Sequence, residues 1–313
     1  MNWKYKALIQ NAISILPSSL SYNAYYYVQR NFGGLKNYTP LRRLLAGVKT
    51  WNHIIDVGQN PVGKTFFEVG TGHIPVVPIA YYLMGSFKTF TIDINPYLKD
   101  ELLWECIRFL QNNKEIVRET FGSNLNWERY HYILDLSQNQ KLSTHELLDE
   151  FNIKYIAPAD ASKTSISNQS IDYHTSYTVF EHIPPAVLKS ILTEGNRLLK
   201  DDGLFIHRID YSDHFSHGDK SISSINFLKY NDDEWNRYAD NKYMYMNRLR
   251  HDDYIRLFES VGHQILKTTI DVNNYSENLL RSGNFKLSDR FKEKAIDILK
   301  ISGAWIISRQ KFD

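Results

Sequence analysis

Three carboxylates, two glycines and a group of imidazoles are the residues of this chain whose types and spacing could do chemistry. In Thr65-Phe66-Phe67-Glu68-Val69-Gly70-Thr71-Gly72-His73-Ile74-Pro75 an apolar run ends in an acid and passes into a glycine turn. A second apolar run, Thr89-Phe90-Thr91-Ile92, ends in Asp93, 21 residues beyond Gly72. That is the interval at which a carboxylate meets a ribose in nucleotide-binding strand-helix-strand units. Gly70 and Gly72 can take backbone angles closed to other residues and let a ligand approach the chain. Asp93 can accept hydrogen bonds from two vicinal hydroxyls. The pattern points to a nucleoside-bearing cofactor. Pro75 stands where a dinucleotide fingerprint has its third glycine, and no Lys-Ser/Thr pair follows as in a phosphate loop.

A second constellation lies later, in His207-Arg208-Ile209-Asp210-Tyr211-Ser212-Asp213-His214-Phe215-Ser216-His217-Gly218-Asp219. Asp210 and His214, four apart, share a face if the segment is helical, and His214 is then a base with Asp210 as its orienter. The same density of His and Asp could fix a divalent cation across two hydroxyls. It could also line a polar substrate loop. Such clusters more often serve as hydrogen-bonding surface, and no metal is assigned from the sequence.

The elements that must position these groups alternate. Strand candidates are 65–69, 89–92, 153–156, 171–175 and 204–208, with later ones at 264–269 and 305–308, and helices separate most of them. This predicts an α/β fold: a Rossmann-like, seven-stranded, mostly parallel sheet with helices on both faces and ligands at the carboxyl ends of the strands. Residues 1–60 read as an N-terminal helical cap or lid, rich in tyrosine at Tyr22, Tyr25, Tyr26 and Tyr27. Residues 61–313 read as the binding domain. It carries an insertion at 97–150 of two or three helices and a polar loop insertion at 211–250 on the substrate side.

From Glu68 onward the run resembles the class I S-adenosylmethionine-dependent methyltransferases, of the type-11-like kind, over roughly Lys64 to Arg208. Glu68, Gly70 and Gly72 match that family's first motif, Asp93 its ribose carboxylate, and Asp160, with Ala161 beside it, its adenine-side acid. Ser170 to Ser176 followed by Val179-Phe180-Glu181-His182-Ile183 looks like the fourth strand and its ending, and Asp201-Asp202-Gly203-Leu204 like the entry to the fifth. Ile74 departs from a glycine common in the family. The resemblance implies S-adenosylmethionine as cofactor. It also puts His182 beside the transferred methyl, where an imidazole suits removal of a proton from an alcohol acceptor.

The later run 224–230, Trp235 and 243–250 is similar to bacterial methyltransferases encoded with surface-polysaccharide synthesis. Trp235 and the tyrosines offer flat faces to a sugar ring, and Asn247, Arg248 and Arg250 offer hydrogen-bonding forks, although a packed helix pair and surface charges predict the same residues. The implied activity is O-methylation of a small polar acceptor, a sugar or nucleotide sugar. N-methylation of a small metabolite, and an inactive cofactor-binding partner subunit, are the other readings.

Composition narrows the partners. A net charge of +2 with no basic block gives no footprint for nucleic acid, and 42% hydrophobic residues suffice for a large core. A single cysteine, Cys106, excludes an internal disulfide and favours a reducing, cytoplasmic setting. The start, 1–16, weakly imitates a secretory signal, but its apolar run is too short to span a bilayer. Packing against the core is its expected role, with peripheral membrane contact as the other use. Oligomeric state is left open.

Overall fold

In the computed structural model, which describes residues 1–138 and 142–311, the seven expected strands form a single sheet. The chain begins with α1 (Trp3–Ser14), α2 (Ser18–Phe32) and α3 (Leu41–Asp56), then alternates β1 (Thr65–Val69), α4 (Val76–Leu83) and β2 (Lys88–Ile92). Next come α5 (Asp100–Asn112), α6 (Lys114–Phe121), α7 (Trp127–Gln138) and α8 (Thr144–Glu150), leading to β3 (Ile153–Ile156) and β4 (Ile171–Tyr177). The second half holds α9 (Pro185–Leu198), β5 (Leu199–Asp210), α10 (Asp232–Ala239), α11 (His251–Glu259), β6 (His263–Val272), α12 (Asn274–Arg281), α13 (Ile296–Leu299) and β7 (Ile301–Gln310).

Sheet order is β3-β2-β1-β4-β5-β7-β6, parallel except that β7 runs against both its neighbours. The chain builds outward from β1 to β3, then returns to β1's other side with β4. Between those two strands lies the switch point where open sheets of this kind bind ligands. The three last strands are longer than the apolar runs suggested. An antiparallel pair can continue past the core into partly exposed residues, as β6 does, because ladder hydrogen bonds rather than burial sustain it.

Successive strand residues point to opposite faces, and each face has its own core. Phe66, Leu204, Ile206 and Ile307 pack with α3, α4, α5 and α8 on one side. Phe67, Phe205 and Ile306 pack with α9 and α11 on the other. Among the described residues, 97–150 hold four α-helices rather than two or three. Asn113, off helical geometry at φ −128°, splits one long apolar pattern into α5 and α6, and a capping box between Ser143 and Glu146 starts α8.

A third core joins the two ends of the polypeptide's helical additions. Trp3 and Ala7 of α1 pack with Phe215, Phe227, Leu228 and Trp235, and the backbone N–H of Trp3 donates to Asp219 Oδ2 at 2.8 Å. Trp3 and Ala7 of α1 are thus packed while Tyr5, Leu8 and Ile9 stay exposed, and α3 belongs to the sheet's own core. No helix among the described residues is long and apolar enough to cross a membrane.

This core corrects the reading of residues 224–250 as sugar platform and forks. Trp235 is buried 6.4 Å from the ring of Trp3. Arg248 gives its guanidinium to the carbonyls of Phe227 and Tyr230, at 2.9 and 2.8 Å, and to Asp232. Arg250 is wholly buried and donates to the carbonyls of Tyr211, Leu299 and Ile301 at 2.6, 2.8 and 2.5 Å. A planar cation with five donors satisfies carbonyls from several segments at once, which is why these arginines went inward. Replacing Arg250 by Met keeps most of the stem and orphans three buried carbonyls. Urea unfolding should show a loss of about 3–5 kcal/mol, and a loss below about 1 kcal/mol would deny Arg250 this clamping role.

Candidate functional site

Gly70 and Gly72 turn the chain at the end of β1 with φ of +88° and +64°, a region other residues rarely adopt. A Cβ on Gly70 would stand 2.4 Å from Val179, so the glycine also lets the segment after β4 close over the turn. The N–H of Gly70 donates to Ile92 O at 2.8 Å, and the N–H of Gly72 to Asp93 Oδ2 at 2.8 Å. Asp93 Oδ1 accepts from Asn95 N at 3.1 Å. Burial raises the Asp93 pKa, and these backbone donors oppose the rise. The carboxylate is therefore fixed in orientation before any ligand arrives.

These groups line a cavity of about 520 Å³ at the carboxyl ends of β1, β2 and β4. Glu68, Gly70, Gly72, Asp93, Asp160 and Ala161 all reach it, together with Ile74, which occupies the family's glycine place with a buried apolar side chain. Asp160 Oδ1 accepts from Ser162 N at 2.8 Å and tightens the turn that seats Ala161. Glu68 lies beneath, receiving hydrogen bonds from Thr175 Oγ1 and, at 3.5 Å, from Tyr81. Burial pushes its pKa up to about 8 against the pull of those donors. The roof comes from the N-terminal helices and the late insertion. Tyr22 donates to Asn95 Oδ1 at 2.7 Å, and Tyr25 stacks on Tyr243 with ring centroids 3.9 Å apart.

Residues 120–207, a stretch spanning β3, β4, α9 and most of β5, match a family model described as a methyltransferase domain. Over those residues the chain carries methyltransferase-domain sequence. No curated protein matches it in sequence. Among solved structures it is similar to a Methanosarcina mazei S-adenosylmethionine-dependent methyltransferase at 15% identity, over 83% of this chain and 98% of that one, with a TM-score of 0.43. A Clostridium acetobutylicum S-adenosylmethionine-dependent methyltransferase is 10% identical over 93% and 99%, with a TM-score of 0.47. A Pyrococcus horikoshii protein is 14% identical over 92% and 99%, with a TM-score of 0.49. Likeness at this distance concerns shape, and the chemistry has to be sought in the chain's own residues.

A smaller cavity of about 230 Å³ adjoins the first, lined by Arg42, Arg43, Tyr177, Thr178, His182, Asp210, His214 and His217. Arg43, Tyr177, Thr178 and His182 border both. Thr178 holds a positive φ of +53°, a strained conformation that places it at this seam. His182 sits in the 3-10 turn Phe180–His182. Its Nδ1 lies 2.8 Å from the carbonyl of Tyr245, which can only accept, so the proton is on Nδ1 and Nε2 keeps its lone pair. Burial, aided by His214, lowers its pKa to about 4. Asn247 fixes this turn by donating to the carbonyls of Phe180 and Ile183 at 2.8 and 2.9 Å.

Asp210 and His214 do meet, but not on a helix face. Asp210 ends β5, and His214 opens a 3-10 turn, His214–His217, whose start is capped by Asp213. The reversal leaves His214 Nε2 3.4 Å from Asp210 Oδ2. Burial raises and the His214 and Ser212 contacts lower the Asp210 pKa, and the net shift is downward. Glu181, read from sequence as an orienter or a solvent-facing acid, is buried with neither carboxyl oxygen hydrogen-bonded. Burial first, then the neighbouring Asp210, raises its pKa.

Sequence reasoning missed Arg42 and Arg43. They follow Leu41 in the first turn of α3, and consecutive arginines there, where the dipole disfavours cations, were the available signal. Glu68 generates a prediction. A carboxyl with a raised folded pKa stabilises fully below its unfolded value of 4.5, and that contribution is lost as pH rises through about 8. Thermal unfolding from pH 5 to 9 should show melting temperature falling in that window, and Glu68→Gln should flatten the fall by about 4 °C or more. Parallel curves for the two proteins would mean Glu68 is ionised at neutral pH.

Proposed function

We propose that the enzyme transfers a methyl group from S-adenosylmethionine to a hydroxyl of a small polar acceptor, a sugar or nucleotide sugar. The observation that carries this reading is the junction of two cavities at His182. One suits a nucleoside and the other is walled by hydroxyl-binding groups. We assign 61–313, with α3 packed on its core, as the catalytic domain, the rest of 1–60 as a cap, 97–150 as a helical insertion and 211–250 as the acceptor-side insertion. The larger cavity fits the donor. The fixed carboxylate of Asp93 would hold the ribose diol, Asp160 with Ala161 would take the adenine side, and Gly70 and Gly72 would allow close approach of the backbone. When bound, the donor supplies an electrophilic methyl on a cationic sulfur.

The chain's task is positioning and water exclusion, since displacement at the methyl carbon requires the acceptor oxygen, the carbon and the sulfur in line. Transfer would form the oxygen–carbon bond as the carbon–sulfur bond breaks, leaving the electron pair on sulfur, and Nε2 of His182 would take the hydroxyl proton. The carbonyl of Tyr245 keeps Nδ1–H in place and stabilises the imidazolium that results. Asp210 and His214 flank the acceptor's seat.

Titration calorimetry with S-adenosylmethionine and with NAD tests the donor assignment. Binding of the former should weaken about 10- to 100-fold in Asp93→Ala, the worth of a charged hydrogen-bonding pair, and binding of NAD alone would overturn it. With a pool of nucleotide sugars, release of S-adenosylhomocysteine should fall about 100-fold or more in His182→Ala while donor affinity holds. Unchanged turnover would remove His182 as the base.

A further inference from the structure

Metal-binding donors converge on the smaller cavity. Asp210 Oδ2 stands 3.4 Å from His214 Nε2 and 3.9 Å from His217 Nε2, and the donor atoms of these three residues all lie within 4.8 Å of one another. A tetrahedral ion with bonds of about 2.0–2.1 Å keeps its ligand atoms about 3.3 Å apart, so the trio stands slightly wider than around a bound ion. On the other side of His214, Glu181 Oε1 approaches its Nε2 at 4.0 Å.

The partnering of these groups is independent evidence. Glu181 is 2% exposed, and neither of its carboxyl oxygens has a hydrogen-bond partner; the buried Nε2 of His214 has none either. Buried polar atoms left without partners forfeit hydration with nothing in return, and such exceptions mark catalytic groups or ion sites. Ser212 donates its N–H and hydroxyl to Asp210 Oδ1, at 2.8 and 2.6 Å, which leaves Oδ2 turned to the imidazoles. Outer contacts of this kind hold ligands in register. His217 is half-exposed and gives the cluster an open side; its Nε2 lies 3.0 Å from Ser212 Oγ, a contact it would exchange for an ion. Arg42 and Arg43, on the same cavity's wall, oppose a cation, and the carboxylate of Asp210 offsets them in part.

We propose that Asp210, His214 and His217 bind a divalent cation, zinc or manganese, with Glu181 as the buried acid behind His214, and that the ion receives two neighbouring oxygens of the acceptor. Two imidazoles and a carboxylate select these metals over magnesium or calcium, which prefer all-oxygen sites. Asp210 and His214 then act on the acceptor through the ion, and His182 remains the base. The part concerning the acceptor rests on the proposed methyl transfer; the ion site does not.

The test uses the full chain, stripped with chelator and dialysed against zinc or manganese, with bound metal measured by elemental analysis and calorimetry. One ion per chain is expected, with affinity reduced at least about tenfold in both Asp210→Asn and His217→Ala. The half-exposed position of His217 makes its variant the safer one, and its melting curve serves as the folding control. Cobalt(II) in place of zinc should give a visible absorption band that is lost in His217→Ala. No uptake by the parent chain, or equal uptake by both variants, would overturn the site. Asp93→Ala separates the two readings: it should lose the methyl donor and keep the ion. Donor binding without metal uptake sinks the ion alone, whereas metal uptake without donor binding sinks the methyl-transfer reading alone.

Discussion

Parallel pairing of β1 with β4 is the constraint on which the site depends. Their register sets Glu68 beside Thr175 and Val69 beside Ser176, so the two strands end side by side. The segments leaving the two strands must then share one small space. Gly70 makes room, because any side chain there would collide with Val179. The glycine turn and the turn bearing His182 are consequently in contact, although more than a hundred residues separate them in sequence. Displacing one displaces the other.

Legibility in the sequence followed the range of the interactions. All seven strands could be recognised, because a sheet covered on both faces demands apolar runs, and runs are local. The acids at strand ends and the glycines between them were legible for the same reason, since each sits at a fixed distance from a run. Arg250 and Trp235 were misread because their burial is decided by segments far away: three carbonyls for the first, α1 for the second. Type and spacing cannot tell a buried clamp from an exposed fork when the partner atoms are backbone carbonyls, which every residue carries. Arg42 and Arg43 escaped for a related reason. Their value lies in which cavity α3 brings them to, and α3 reaches it through packing on α4, α6 and β5.

The third core explains how an N-terminal segment without strand signals comes to stand over the cavities. Trp3 and Ala7 anchor α1 to the 211–250 insertion, and α2 is thereby laid across the mouth, with Tyr22 and Tyr25 meeting Asn95 and Tyr243. A lid made from two distant parts of the chain cannot open through one hinge alone. Movement of α2 would break the Tyr22 to Asn95 hydrogen bond and the Tyr25 to Tyr243 stack together; the first joins the roof to the end of β2 and the second joins the roof's two halves.

Burial gives the two cavities different electrostatic characters. Around the larger one, desolvation favours neutral forms: Glu68 titrates near 8 and His182 near 4. A low-polarity seat of this kind strengthens the attraction between a cationic ligand and the few charges left fixed, Asp93 above all. In the smaller cavity Asp210 stays ionised, steadied by Ser212 and His214, while Glu181, on the far side of His214, has no hydrogen-bond donor for its carboxyl. Burial thus pushes one carboxyl toward its neutral form while hydrogen bonds and an imidazole hold its neighbour toward the charged form. The fold supplies this pairing by ending β4 and β5 next to each other, so that the acid following the first strand faces the acid closing the second.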